Sequence, residues 1–100
     1  MKALGLARRG EKLSILCLGA HSDDIEIGAG GTILSLIDSG VELHVHWCVL
    51  SAGGERSQEA LASAEAFLEG AASAVVDVAD FEDPSSPADS RAIKRWLIDL

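Results

Sequence analysis

The chain has 100 residues, 16 Asp and Glu against 8 Lys and Arg, and a formal net charge of -8. Hydrophobic residues at 48% with 24% charged describe a folded globular chain rather than a disordered one, and this length suffices for one small domain. The acid excess argues against a nucleic-acid partner, whose phosphates call for a positive patch. No apolar run approaches the about 20 residues that a membrane-spanning helix needs.

Met1 to Glu11 is polar and locally basic through Lys2, Arg8 and Arg9. With the apolar run behind it, this stretch imitates a secretory signal ending at Ala20. Cleavage there would discard the first strand, so the chain is expected in the cytoplasm. Leu13 to Leu18 is short, apolar and partly β-branched, and predicts a buried strand. Gly28 to Gly31, followed by Thr32 and the stripe Ile33, Leu34, Leu36 and Ile37, predicts a helix that starts at the glycines and stops at Gly40. A strand feeding a helix puts the loop between them at the carboxyl end of a parallel sheet, where open α/β folds place their ligands.

That loop reads His21-Ser22-Asp23-Asp24-Ile25-Glu26. One helical turn there would set His21 and Asp24 three residues apart and facing one point. An imidazole nitrogen and a carboxylate oxygen are both competent ligands for zinc or a similar divalent ion. Asp23, one step round, could hold a water bound to that ion. Catalytic zinc takes three protein donors, so this reading requires a third from elsewhere.

Val41 to Leu50 predicts the second strand, with Val41, Leu43, Val45, Trp47 and Val49 alternating with Glu42, His44, His46 and Cys48. His44 and His46 share a face and could chelate a metal. They lie in mid-strand rather than at its loop end, however, and are read as structural or exposed. Cys17 and Cys48 each lie in an apolar run and are expected to be buried, reduced thiols. Ser51 to Glu55 forms a loop, and Ser57 caps a helix running to Glu69 with Ala60, Leu61, Ala64, Phe67 and Leu68 on one stripe. Gly70 closes it. Ala74 to Ala79 is a short third strand, followed by Asp80-Phe81-Glu82-Asp83-Pro84, and Ser86 to Leu100 carries Ala92, Ile93, Trp96, Leu97 and Leu100 at helical spacing. The expected fold is therefore α/β: three βα units forming a Rossmann-like parallel sheet with helices on both faces.

Gly19-Ala20-His21-Ser22-Asp23-Asp24, with Glu26 and Gly28-Ala29-Gly30-Gly31-Thr32, resembles the opening motif of the PIG-L/LmbE family of zinc-dependent N-acetylglucosaminide deacetylases. The family motif has Pro where this chain has Ser22, a change that loosens the turn but removes no ligand. Ser51-Ala52-Gly53-Gly54-Glu55-Arg56-Ser57-Gln58-Glu59 resembles a second family loop, Thr/Ser-x-Gly-Gly followed by Arg-x-x-Glu. The resemblance implies His21 and Asp24 as metal ligands and Asp23 as general base. Arg56 is implied as a substrate contact; otherwise it is a solvated arginine paired with Glu59. An acid near the end of the third strand, Asp80 or Asp83, would also touch substrate, unless it belongs to a plain acidic turn.

The family uses a longer chain, which supplies a third ligand and a histidine proposed as acid. Residues 1–100 are thus expected to be the N-terminal portion of a single deacetylase domain. The implied activity is hydrolysis of the N-acetyl amide of a small-molecule N-acetylglucosaminide, assisted by Zn2+ or another divalent metal. Three other readings use the same residues. Gly28, Gly30 and Gly31 could open an anion-binding helix of a nucleotide module. Asp23 and Asp24 could hold Mg2+ beside a phosphorylatable Asp80 in a receiver-like domain. A non-catalytic homologue could bind sugar or a partner protein.

Overall fold

The computed structural model describes residues 6–81 and 89–100. Its elements alternate: β1 (Lys12–His21), α1 (Asp24–Asp38), β2 (Glu42–Ser51), α2 (Glu55–Leu68), β3 (Ser73–Val78) and α3 (Ser90–Ile98). The strands form one sheet in the order β1-β2-β3, and both pairings are parallel. The fold is the expected α/β arrangement, an open parallel sheet of Rossmann-like form.

Register explains which side chains are buried. Leu13, Ile15, Cys17 and Gly19 of β1 pair with Leu43, Val45, Trp47 and Val49 of β2, and the last three pair on with Ala74, Val76 and Val78 of β3. Side chains alternate along a strand, so these rows share one face. Gly19 and the exposed Ala74 apart, they make the core with Ile25, Ile33 and Leu36 of α1 and Ala60, Ala64 and Leu68 of α2. Trp47 is fully buried at its centre, and its ring lies 6.1 Å from that of Phe67.

Two crossovers stepping in the same direction across the sheet, each of the usual hand, leave α1 and α2 on the same face. Among the described residues the opposite face therefore lacks the helix cover expected from the sequence. Leu16, Leu18 and Val75 there remain 57%, 52% and 54% exposed. Helix α3 buries none of its residues and touches Phe81 edge-on through Trp96.

Helix α1 ends where expected. Gly40 takes a φ of 85°, its N–H donates to the carbonyl of Ile37, and the N–H of Val41 reaches back to Leu36, the pattern of a Schellman cap. The start differs. Helix α1 begins at Asp24 rather than at the glycines, its first hydrogen bond running from the N–H of Ile27 to the carbonyl of Asp23, and Gly30 instead serves packing: a Cβ at residue 30 would lie 2.6 Å from Cε1 of Phe67. Likewise α2 begins at Glu55 with Gly54 as its N-cap, so Ser57 lies inside the first turn and is not the cap. No helix among the described residues is long and apolar enough to cross a membrane.

Candidate metal centre at the carboxyl edge of the sheet

Strand β1 runs as far as His21, which pairs with Ser51 at the end of β2, and Ser51 in turn bridges to Asp80 beyond β3. The three strand ends thus stand in a row. From His21 the chain turns through Ser22 and Asp23 into α1. Asp23 has φ 76° and ψ -17°, the only left-handed non-glycine backbone among the described residues. Asp is among the few side chains that tolerate this conformation. It occupies the N-cap position, yet its carboxylate makes no capping hydrogen bond.

Asp24 takes a different part. Its Oδ2 accepts the backbone N–H of His21 at 2.9 Å, which fastens the first turn of the helix to the end of the strand. The approach depends on Gly19, where a Cβ would come within 2.9 Å of Cγ1 of Ile25 and 3.3 Å of Cβ of Asp24. As a result Nδ1 of His21 lies 3.8 Å from Oδ2 of Asp24, with the side chains 59% and 49% exposed.

Two donors bound to one tetrahedral zinc at about 2.0–2.1 Å stand about 3.3 Å apart. The observed separation lies within a small side-chain adjustment of that, and the nitrogen and oxygen pair suits zinc, so His21 and Asp24 fit such an ion. Asp24 and Glu26 also occupy the first turn of α1, where the positive end of the helix dipole favours negative charge.

Other residues singled out in the sequence fall into place differently. Arg56 is exposed in the first turn of α2, on the same sheet edge, and has no ion-pair partner among the described residues, Glu59 included. Glu26 accepts a hydrogen bond from the Ser63 hydroxyl at 2.7 Å, which ties α1 to α2 rather than adding a ligand. Gly28, Gly30 and Gly31 lie beyond the first turn of α1, so their amides do not face a ligand. The first turn carries acids instead, which removes the basis for the anion-binding reading. Asp80 lies at the strand edge, and Asp83 falls outside the described residues.

The opposite face of the sheet holds a group that sequence reasoning did not assemble. His44 behaves as the structural residue expected, with Nδ1 2.6 Å from Oγ of Ser73 and Nε2 2.9 Å from Oε2 of Glu42. Its hydrogen bond holds the Glu42 carboxyl below the ordinary range. His46 differs, for its Nε2 meets Oδ2 of Asp77 at 2.5 Å. One donor atom each of His46, Cys48 and Asp77 lie within 4.8 Å of one another, a set able to hold a metal ion. His46 and Cys48 were legible as neighbours on one strand face, but Asp77 comes from β3 and enters only through the register Cys48 to Asp77. Both cysteines are free thiols; burial raises Cys17, and burial with the Asp77 charge pushes Cys48 up to about 11.

Neither a curated protein nor a solved structure matches the chain. A family model, PIG-L, described as GlcNAc-PI de-N-acetylase, matches residues 16–96. That span holds both motifs, the His21 to Asp24 turn and the Gly-Gly loop before Arg56. It covers well over half of the chain, which belongs to the PIG-L family.

Proposed function

We propose that residues 1–100 carry the first part of the active site of a metal-dependent hydrolase that removes the N-acetyl group from an N-acetylglucosamine-containing small molecule. The observation that carries this reading is the His21 and Asp24 pair, 3.8 Å apart at the carboxyl end of β1, beside an Asp23 carboxylate not used for capping. Membership of the PIG-L family supports the choice of substrate class.

His21 and Asp24 would hold the ion, and a third ligand and the acid would come from outside residues 1–100, in the remainder of the same domain. A bound divalent ion lowers the pKa of water and polarises the amide carbonyl. Asp23 acts as general base, an oxygen of its carboxylate taking the proton of the attacking water. Asp23 combines a left-handed backbone with the absence of any side-chain bond to the helix amides, so its carboxylate is not used for capping. Arg56 offers a planar fork of donors to a sugar or carbonyl oxygen. The two reduced cysteines accord with a cytoplasmic protein.

The experiment is a panel of N-acetylglucosaminides incubated with the zinc-loaded protein, with release of free amine as the readout. Asp23→Asn is expected to keep zinc and lose most turnover, and His21→Ala to weaken zinc binding. Zinc loss in Asp23→Asn would exchange the roles of the two aspartates. Unchanged zinc binding in His21→Ala, with no amine released by the wild-type protein, would overturn the reading.

A further inference from the structure

We infer that His46, Cys48 and Asp77 form a second metal site, separate from the His21 centre, that takes a thiophilic divalent ion such as zinc and clamps β2 to β3. Its donors come from two parallel strands, a nitrogen and a sulfur from alternate residues of β2 and an oxygen from β3. The site lies on the sheet face opposite α1 and α2, because Cys48 alternates with the core residues Trp47 and Val49. From Cys48 to the strand end at Ser51 is three residues, about 10 Å along a strand. No single ion can serve both sites.

The geometry is close to a binding arrangement. Tetrahedral zinc with one sulfur at about 2.3 Å and nitrogen or oxygen at about 2.0–2.1 Å spaces its donors about 3.3–3.6 Å apart. The three donors already lie within 4.8 Å of one another. Binding requires Nε2 of His46 and Oδ2 of Asp77, 2.5 Å apart around a shared hydrogen bond, to separate by about an ångström while Cys48 Sγ draws in. The exchange balances for a neutral His46: the proton between Nε2 and Asp77 Oδ2 is relocated to Nδ1 through solvent, the Cys48 thiol proton passes to solvent, and the metal takes the Nε2 lone pair, the thiolate and the carboxylate. His46, Cys48 and Asp77 have no ligand partner beyond one another among the described residues, so a fourth position is left to water. The neighbours across the face, Leu16, Leu18 and Val75, are apolar, which favours a soft, partly dehydrated ion over Mg2+ or Ca2+.

Cobalt(II) is the probe, because a thiolate bound to it gives a charge-transfer band in the near ultraviolet that oxygen and nitrogen ligands do not. The metal-free protein titrated with Co2+ is expected to develop this band with one equivalent, and Zn2+ to displace it. The band should vanish in Cys48→Ser and remain in Cys17→Ser and His21→Ala. His46→Gln and Asp77→Asn should each weaken Co2+ binding by about tenfold or more, with far-ultraviolet circular dichroism confirming that each variant is folded. A wild-type protein without the band, or a band that survives in folded Cys48→Ser, would overturn the second site. The outcome for His21→Ala is independent, so failure of one site is distinguishable from failure of the other.

Discussion

The Asp24 carboxylate accepts the backbone N–H of His21 at 2.9 Å, so a single side chain both joins α1 to β1 and stands beside the imidazole. The two roles separate under substitution. Asp24→Asn retains a carbonyl acceptor, and its stability is expected to change by less than about 0.5 kcal/mol, whereas Asp24→Ala should cost about 0.5–1.5 kcal/mol. Both should lower zinc affinity by about tenfold or more. Urea unfolding and zinc titration of the same two variants provide the check.

Asp23 holds a left-handed backbone without a compensating side-chain hydrogen bond. Glycine adopts that conformation freely, so Asp23→Gly is expected to stabilise the protein by up to about 1 kcal/mol while abolishing turnover. Asp23→Val should destabilise it by more than about 1 kcal/mol. Thermal midpoints measured beside amine release would show stability and activity moving in opposite directions in the glycine variant.

The three glycines of α1 differ in what surrounds them. A Cβ at residue 30 would press on the Phe67 ring, whereas at residues 28 and 31 it would meet nothing within 4 Å. Gly30→Ala is therefore expected to cost about 1–3 kcal/mol. Gly28→Ala and Gly31→Ala should each add about 0.5–1 kcal/mol, the helix propensity gained. Denaturant midpoints of the three variants test this directly.

The Cys48 thiol, pushed up to about 11 chiefly by burial, gives stability a dependence on pH. Between about pH 9 and 11 the unfolded chain loses this proton and the metal-free folded chain keeps it. Stability should therefore fall as pH rises through that window, by on the order of 1–3 kcal/mol. Cys48→Ala should flatten most of the slope, with Cys17, also raised, accounting for part of the remainder.

Arg56 is exposed and unpaired among the described residues, so Arg56→Ala should leave stability within about 0.5 kcal/mol of wild type. Its expected effect falls on KM for the glucosaminide. Unchanged kinetics would remove Arg56 from the substrate site.

Strand β2 was legible because one face is buried: the strict alternation from Val41 to Val49 names the core row directly. The end of α1 was legible in Gly40 for a similarly local reason. Its start was not, because glycine is a poor helix former and a run of them reads as a boundary. The need for glycine inside this helix, and in β1 before it, is tertiary and so not local in the sequence: a Cβ at residue 30 would crowd Phe67, and one at residue 19 would crowd Ile25. The His21 to Asp24 pair lies within four residues and could be read from spacing alone. The His46, Cys48 and Asp77 group could not, since a register between strands 29 residues apart brings Asp77 to Cys48.

The alignment of His21, Ser51 and Asp80 across the strand ends draws a line between two kinds of tolerance to change. Below it, a volume change at Val45 or Trp47 disturbs both neighbouring strands. Above it, lengthening the turn after β2 reshapes the rim beside His21 and alters no strand register. An insertion at this rim would change what surrounds His21, Asp23 and Asp24 while leaving all three fixed to one unaltered sheet.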